Sequence, residues 1–164
     1  MTSSLAVANT FIDEFGKGSG IQHMKLQKLV YYCHAWWLSV HDRPFIDERP
    51  QVWKYGPVFD ELYHSLKGYG SQPITSMQRG DHFNEGPERI DDANDELMGL
   101  VDWVWARYGD KTAEELSERT HKDGTPWKII AEKNHFRVPK GTVIDDVIIK
   151  QCFSGDPSKV LQAQ

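Results

Sequence analysis

One stretch constrains this chain more than any other. Between Met24 and Val40 the residues Leu26, Leu29, Val30, Cys33, Trp37 and Val40 recur at spacings of three and four, which predicts a helix with one inner stripe. The same stretch also carries Tyr31, Tyr32 and Trp36. At about 100° per residue Tyr31, Tyr32, Trp36 and Trp37 span nearly the whole circumference, so a single narrow stripe cannot bury them all. Some of these rings must face a further layer of the chain or a partner. The 164 residues amount to about one ordinary domain. With 39% hydrophobic residues, six Trp, six Tyr and seven Phe, they can supply one core, and global disorder is excluded.

The surrounding punctuation predicts more helices. Leu5, Ala8, Phe11, Ile12 and Phe15 place an amphipathic helix at about Ser4–Phe15, closed by Gly16 and Gly18. Asp92 or Asn94 caps a helix carrying Leu97, Leu100, Val101, Val104, Trp105 and Tyr108, with Gly109 after it. Thr112-Ala113-Glu114-Glu115 has the spacing of a capping box and starts a short helix to about His121. Thr125-Pro126-Trp127 reads as a cap followed by Pro at the first helical position, with Trp127 packing in the core beside the Leu116 helix. Val143 to Phe153 fits a closing helix with Ile144, Val147, Ile148 and Cys152 inward, although its Val-Ile content would also suit a strand.

Residues 43–54 hold two prolines and a Phe-Ile…Val-Trp pattern, which reads as a loop with one or two short strands. Pro57 is expected in the first turn of a third helix, which Gly68 and Gly70 end. Residues 71–90 form the longest irregular segment. Together these features predict a mainly α, compact single-domain helical bundle over 1–164, with a short minor β element around residues 45–55.

Function classes narrow by exclusion. No apolar run approaches the ~20 residues of a membrane span, and the start Met1-Thr2-Ser3-Ser4 has no basic leader region, so a soluble, unexported protein is expected. Cys33 and Cys152 have no CxxC spacing and read as buried thiols of a reducing cytoplasm. The net charge of −5 is concentrated at the centre, where residues 81–118 hold 12 acidic and 3 basic side chains. No basic patch is evident, which makes nucleic acid an improbable partner. The acidic block reads as a solvated face, or as a surface that steers a basic partner.

Seven histidines show no HExxH and no metal-ligand spacing, and His34 and His41 lie two turns apart, so no metal and no cofactor is expected. Thr120-His121-Lys122-Asp123 contains the residue types of nucleophilic catalysis. Three such groups within four residues are not thereby brought to one point, and capping or core-edge packing accounts for His121. No catalytic residue is assigned.

Aromatic residues crowd Tyr31 to Tyr69. Tyr32, Trp36, Trp53 and Tyr55 are the candidate partner-binding residues, because partly exposed Trp and Tyr dominate interface energies. The alternative is that Trp53-Lys54-Tyr55-Gly56-Pro57 packs a strand–turn–helix corner back onto the second helix.

Two blocks carry a resemblance. Lys25-Leu26-Gln27-Lys28-Leu29-Val30-Tyr31-Tyr32, then Trp36, Phe45, Val52-Trp53-Lys54-Tyr55-Gly56-Pro57-Val58, Tyr63 and Lys67-Gly68-Tyr69-Gly70 form the first. Leu116-Ser117, Thr120-His121 and Pro126-Trp127 form the second. In this order they resemble the Panacea domain of the SocA-like and phage-associated GepA-like antitoxins, over about residues 5–153. The resemblance marks Lys28, Gly56, Pro57, Tyr63, Gly70, Leu116, Ser117, Thr120, His121, Pro126 and Trp127 as family-motif positions of structural kind. It implies an antitoxin that neutralises a cognate toxin protein by direct binding. Alternatives are a protease adaptor, a phage counter-defence interaction protein and, less favoured, a small hydrolase-type enzyme using the His121 region.

Overall fold

The computed structural model describes residues 1–80 and 85–153. Its described part is mainly helical, with seven α-helices and one short hairpin. Helix α1 (Ser4–Phe15) starts at Ser3, whose hydroxyl accepts from the Ala6 amide at 3.0 Å. Helix α2 (His23–His41) is the central rod, and α1, the helices Asp60–Leu66, Asp95–Tyr108, Ala113–Thr120 and Asp146–Cys152, and the strand Gly56–Val58 all pack against it. The aromatic belt of α2 is therefore covered by its own chain. Helix α4 (Asp95–Tyr108), capped by Asn94, lays Tyr108 flat on Tyr32 with ring centroids 4.0 Å apart. Trp36 meets Trp103 edge-on at 5.3 Å and Phe153 at 5.1 Å.

Strands β1 (Gln51–Trp53) and β2 (Gly56–Val58) form an antiparallel hairpin, so the β element lies later than expected and runs through Pro57. Pro57 is thus a strand residue, and α3 (Asp60–Leu66) begins three positions on. The register explains why proline is tolerated. Val52, opposite Pro57, turns its amide outward to the Thr142 carbonyl at 2.9 Å, which makes Val52–Pro57 a pair that exchanges no ladder bonds and needs no proline N–H. A single 3-10 turn, Lys67–Tyr69, follows α3.

Residues 71–80 and 85–92 are irregular but anchored. The Asn9 amide nitrogen donates to the carbonyls of Gln78 and Glu88, each at 2.8 Å, and its oxygen accepts from the Gln78 amide at 2.7 Å. The Ile90 amide donates to the Thr10 hydroxyl at 3.0 Å. These bonds account for two fully buried polar residues on α1.

Helix α5 (Ala113–Thr120) has both bonds of its capping box, and α6 (Pro126–Lys133) starts at Thr125 with proline in its first turn. The closing helix α7 (Asp146–Cys152) is shorter than the Val143–Phe153 expected from sequence. Gln51 bridges Val143, and the Ile144 amide donates to the Pro50 carbonyl at 2.8 Å, so Val143 and Ile144 are used in extended pairing beside β1. The inner side of α7 then runs through Ile149, whereas Val147 is 58% exposed. Cys33 is buried, but Cys152 is half-buried. No helix among the described residues is long and apolar enough to cross a membrane.

Candidate functional site

The motif positions meet where the β1–β2 hairpin lies between α2 and α5. From α2, Gln27 and Lys28 project beneath β2. The Gln27 side chain takes both bonds of the Phe59 backbone, accepting from its amide at 2.9 Å and donating to its carbonyl at 3.2 Å. Lys28 donates to the Pro57 carbonyl at 3.2 Å and has no exposed surface. Burial lowers the Lys28 ammonium to about 7, which leaves the amine partly neutral near neutral pH.

Glycine at position 56 is required twice over. Its φ is 109°, and a Cβ there would lie 2.6 Å from Thr120 Oγ1 and 2.8 Å from Lys28 Cε. Neither Lys54 nor Tyr55 has positive φ, so the left-handed step of the turn falls on Gly56.

From α5, Ser117 donates to the Tyr55 carbonyl at 2.6 Å, and Thr120 donates to the Ser117 carbonyl at 2.7 Å. Leu116 is fully buried on the same helix. The Thr125 hydroxyl lies 2.7 Å from the Thr120 carbonyl. Trp127 is half-buried, not enclosed as expected. Its indole N–H donates to the Trp53 carbonyl at 2.7 Å, and its ring packs on His121 at 3.9 Å. His121 Nε2 is buried with no hydrogen-bond partner among the described residues. Burial, then the neighbouring Lys28 and Lys128, hold this imidazole below its ordinary value, which favours the neutral form. Tyr63 rests on Trp53 at 4.7 Å. Gly70 lies outside this cluster, at the end of the 3-10 turn, with φ 54°.

Chemically, an amine with this lowered pKa and a neutral imidazole are the makings of general-base chemistry. Here the Lys28 amine faces a backbone carbonyl inside the fold, and the cluster works as a clamp on the hairpin. His34 is likewise packed away, 3.4 Å from the Asp146 carboxylate and edge-on to Phe59. Among the described residues no group of His, Cys, Asp and Glu could hold a metal ion.

The four candidate partner-binding residues separate into two pairs. Tyr32 is buried, and Trp36 is half-buried with its N–H bonded to the Tyr108 hydroxyl at 3.0 Å, so the aromatic side of α2 offers no free patch. Trp53 is half-buried, and Tyr55 stands out at 59% exposed. Of the acidic block, Asp81 lies outside the described residues. In the remainder, Arg89 ties Asp92 to Asp13 and Glu14 of α1.

A model of the antitoxin SocA-like, Panacea domain matches residues 26–128, the span that contains the whole clamp. The chain belongs to this family. It is also similar to antitoxin SocA of Caulobacter vibrioides (strain NA1000 / CB15N), being 28% identical over 155 residues that cover 90% of this chain and 80% of that protein. No solved structure matches it. In this Panacea chain the motif residues join α2, the hairpin, α5 and α6 into one unit. Two features escaped sequence reading. Gln27 sits inside the motif, but only its pairing with Phe59 reveals its role. The exposed Phe136, just beyond α6, follows no periodic pattern that would single it out.

Proposed function

We propose that the chain neutralises a protein toxin by binding it directly, without breaking a bond. The observation that carries this is the clamped hairpin. Tyr55 presents an exposed ring while its own carbonyl is held by Ser117, and the adjoining Trp53 carbonyl is held by Trp127. An aromatic carried on held backbone has little backbone freedom left to lose on binding, and a few such anchors supply most of an interface's affinity. Family membership supports a toxin as the partner. An interface of ordinary size, about 1,600 Å² in total, would be enough to cover the toxin's working surface.

Co-expression with the product of the adjacent reading frame tests this. A stable complex on co-purification, together with rescue of the growth arrest that product causes alone, is the expected result. Rescue without any complex would overturn direct binding. A toxin level that collapses only when this chain is present would favour an adaptor that delivers the toxin to a protease.

A further inference from the structure

Beside the clamp runs an apolar groove of about 300 Å³, lined by Val52, Trp53, Trp127, Ala131, Phe136 and Val138. Two cations stand along it, and a third neighbours it in sequence. Lys54 is part of its wall, the Lys128 ammonium lies 5.2 Å from the centre of the Phe136 ring, and Arg137 falls between the two lining residues Phe136 and Val138. Lys54 and Arg137 form no ion pair among the described residues, and no acidic side chain lines the groove. Lys128 reaches Asp123 only at 3.9 Å. In a chain of net charge −5 this is a local reversal of sign, with five basic and two acidic side chains between residues 122 and 140.

Phe136 is held outward. His135 and Phe136 both have left-handed backbone, φ 51° and 58°, and the Phe136 amide donates to the Ala131 carbonyl at 2.7 Å to close the end of α6. Asparagine or glycine would occupy that conformation with less strain, yet the position carries a phenyl ring that is 60% exposed.

We infer that this groove is the docking site for an acidic segment of the toxin that carries an apolar anchor side chain. The inference rests on the direct-binding reading and specifies the surface and the partner chemistry. The apolar floor would take the anchor, and Lys54, Lys128 and Arg137 would meet carboxylates on either side of it. A groove of this volume accepts one or two side chains. In a two-fold dimer two copies of the same cationic rim would face each other, which favours a separate acidic segment over a second copy.

The test compares wild type with Phe136→Asn and with Lys54→Glu/Arg137→Glu. Binding to the purified product of the adjacent reading frame is measured at two salt concentrations, with thermal melts of each variant. Phe136→Asn should melt no lower than wild type, because asparagine tolerates left-handed backbone, and should bind at least ~10-fold more weakly. The charge-reversed pair should associate more slowly and lose most of its salt dependence. Wild-type affinity in both variants would overturn the groove while leaving direct binding standing. Failure of wild type itself to bind would remove both. A wild-type dimer that Phe136→Asn dissolves, with toxin binding unchanged, would assign the groove to a second copy.

Discussion

At the scale of single residues, Gly56 and Lys28 show how tightly the clamp is drawn. Gly56→Val places a branched side chain at φ 109° and against Thr120 Oγ1 and Lys28 Cε, so two independent costs add. A loss of at least ~2 kcal/mol is expected, and a circular-dichroism melt unchanged by the substitution would show that the turn is not so constrained. Lys28 makes a second prediction, with a definite sign. Its folded pKa of about 7 lies below the ~10.4 of a free lysine, so between those values the unfolded chain binds more protons than the folded one. Stability should therefore rise with pH from about 7 towards 10. Lys28→Met removes that slope and also leaves the Pro57 carbonyl without its donor. The difference between the two stability curves should narrow at low pH, where wild type holds a buried ammonium, and widen at high pH. Parallel curves would place the Lys28 titration elsewhere.

At the scale of elements, what was legible in the sequence was what is local. The Ser4–Phe15 helix, the cap at Asp92 or Asn94, which the structure assigns to Asn94, the Thr112 capping box and the Thr125-Pro126 start are each fixed by side chains within a few positions of the backbone they satisfy. What was not legible depends on a distant strand. Pro57 looks like a helix start until Val52 is seen to turn its amide to Thr142, and the inward side of α7 changes once Val143 and Ile144 pair beside β1. The candidate site divides in the same way. The motif residues are visible, but Tyr32 and Trp36 read as available because nothing in α2 itself reveals that α4 and Phe153, at the end of α7, cover them. Trp127 is the bolt between hairpin and α6, and two substitutions separate its roles. Trp127→Phe keeps a ring on His121 and removes the bond to the Trp53 carbonyl, at a cost of about 1 kcal/mol. Trp127→Ala also loses the ring and should cost about 3 kcal/mol, the lower end of core values, because the residue is only half-buried. Equal melting temperatures for the two variants would mean that the indole N–H carries the whole effect.

At the scale of the molecule, the titratable groups around the clamp are turned inward, and two aromatic rings beside it stand outward. The buried side holds Lys28, His34 and the unpartnered His121 Nε2, each surrounded by packing that joins α2 to the hairpin, α5, α6 or α7. The outer side holds Tyr55 and Phe136 on backbone that is clamped or bonded shut. Binding and catalysis make opposite demands on His121. A binding protein uses its ring only as a surface for Trp127, so removing it should lower stability and leave the hairpin tip able to engage the toxin. An enzyme would lose its proton carrier and its activity together. His121→Ala, checked by a melt to be folded at the growth temperature and by co-purification to hold the toxin, should therefore still rescue growth. Its melting temperature should fall, since His121 and Trp127 pack at 3.9 Å. A folded, toxin-binding His121→Ala protein that fails to rescue would show that holding the toxin is not sufficient, and that the imidazole carries a chemical step which contact does not supply.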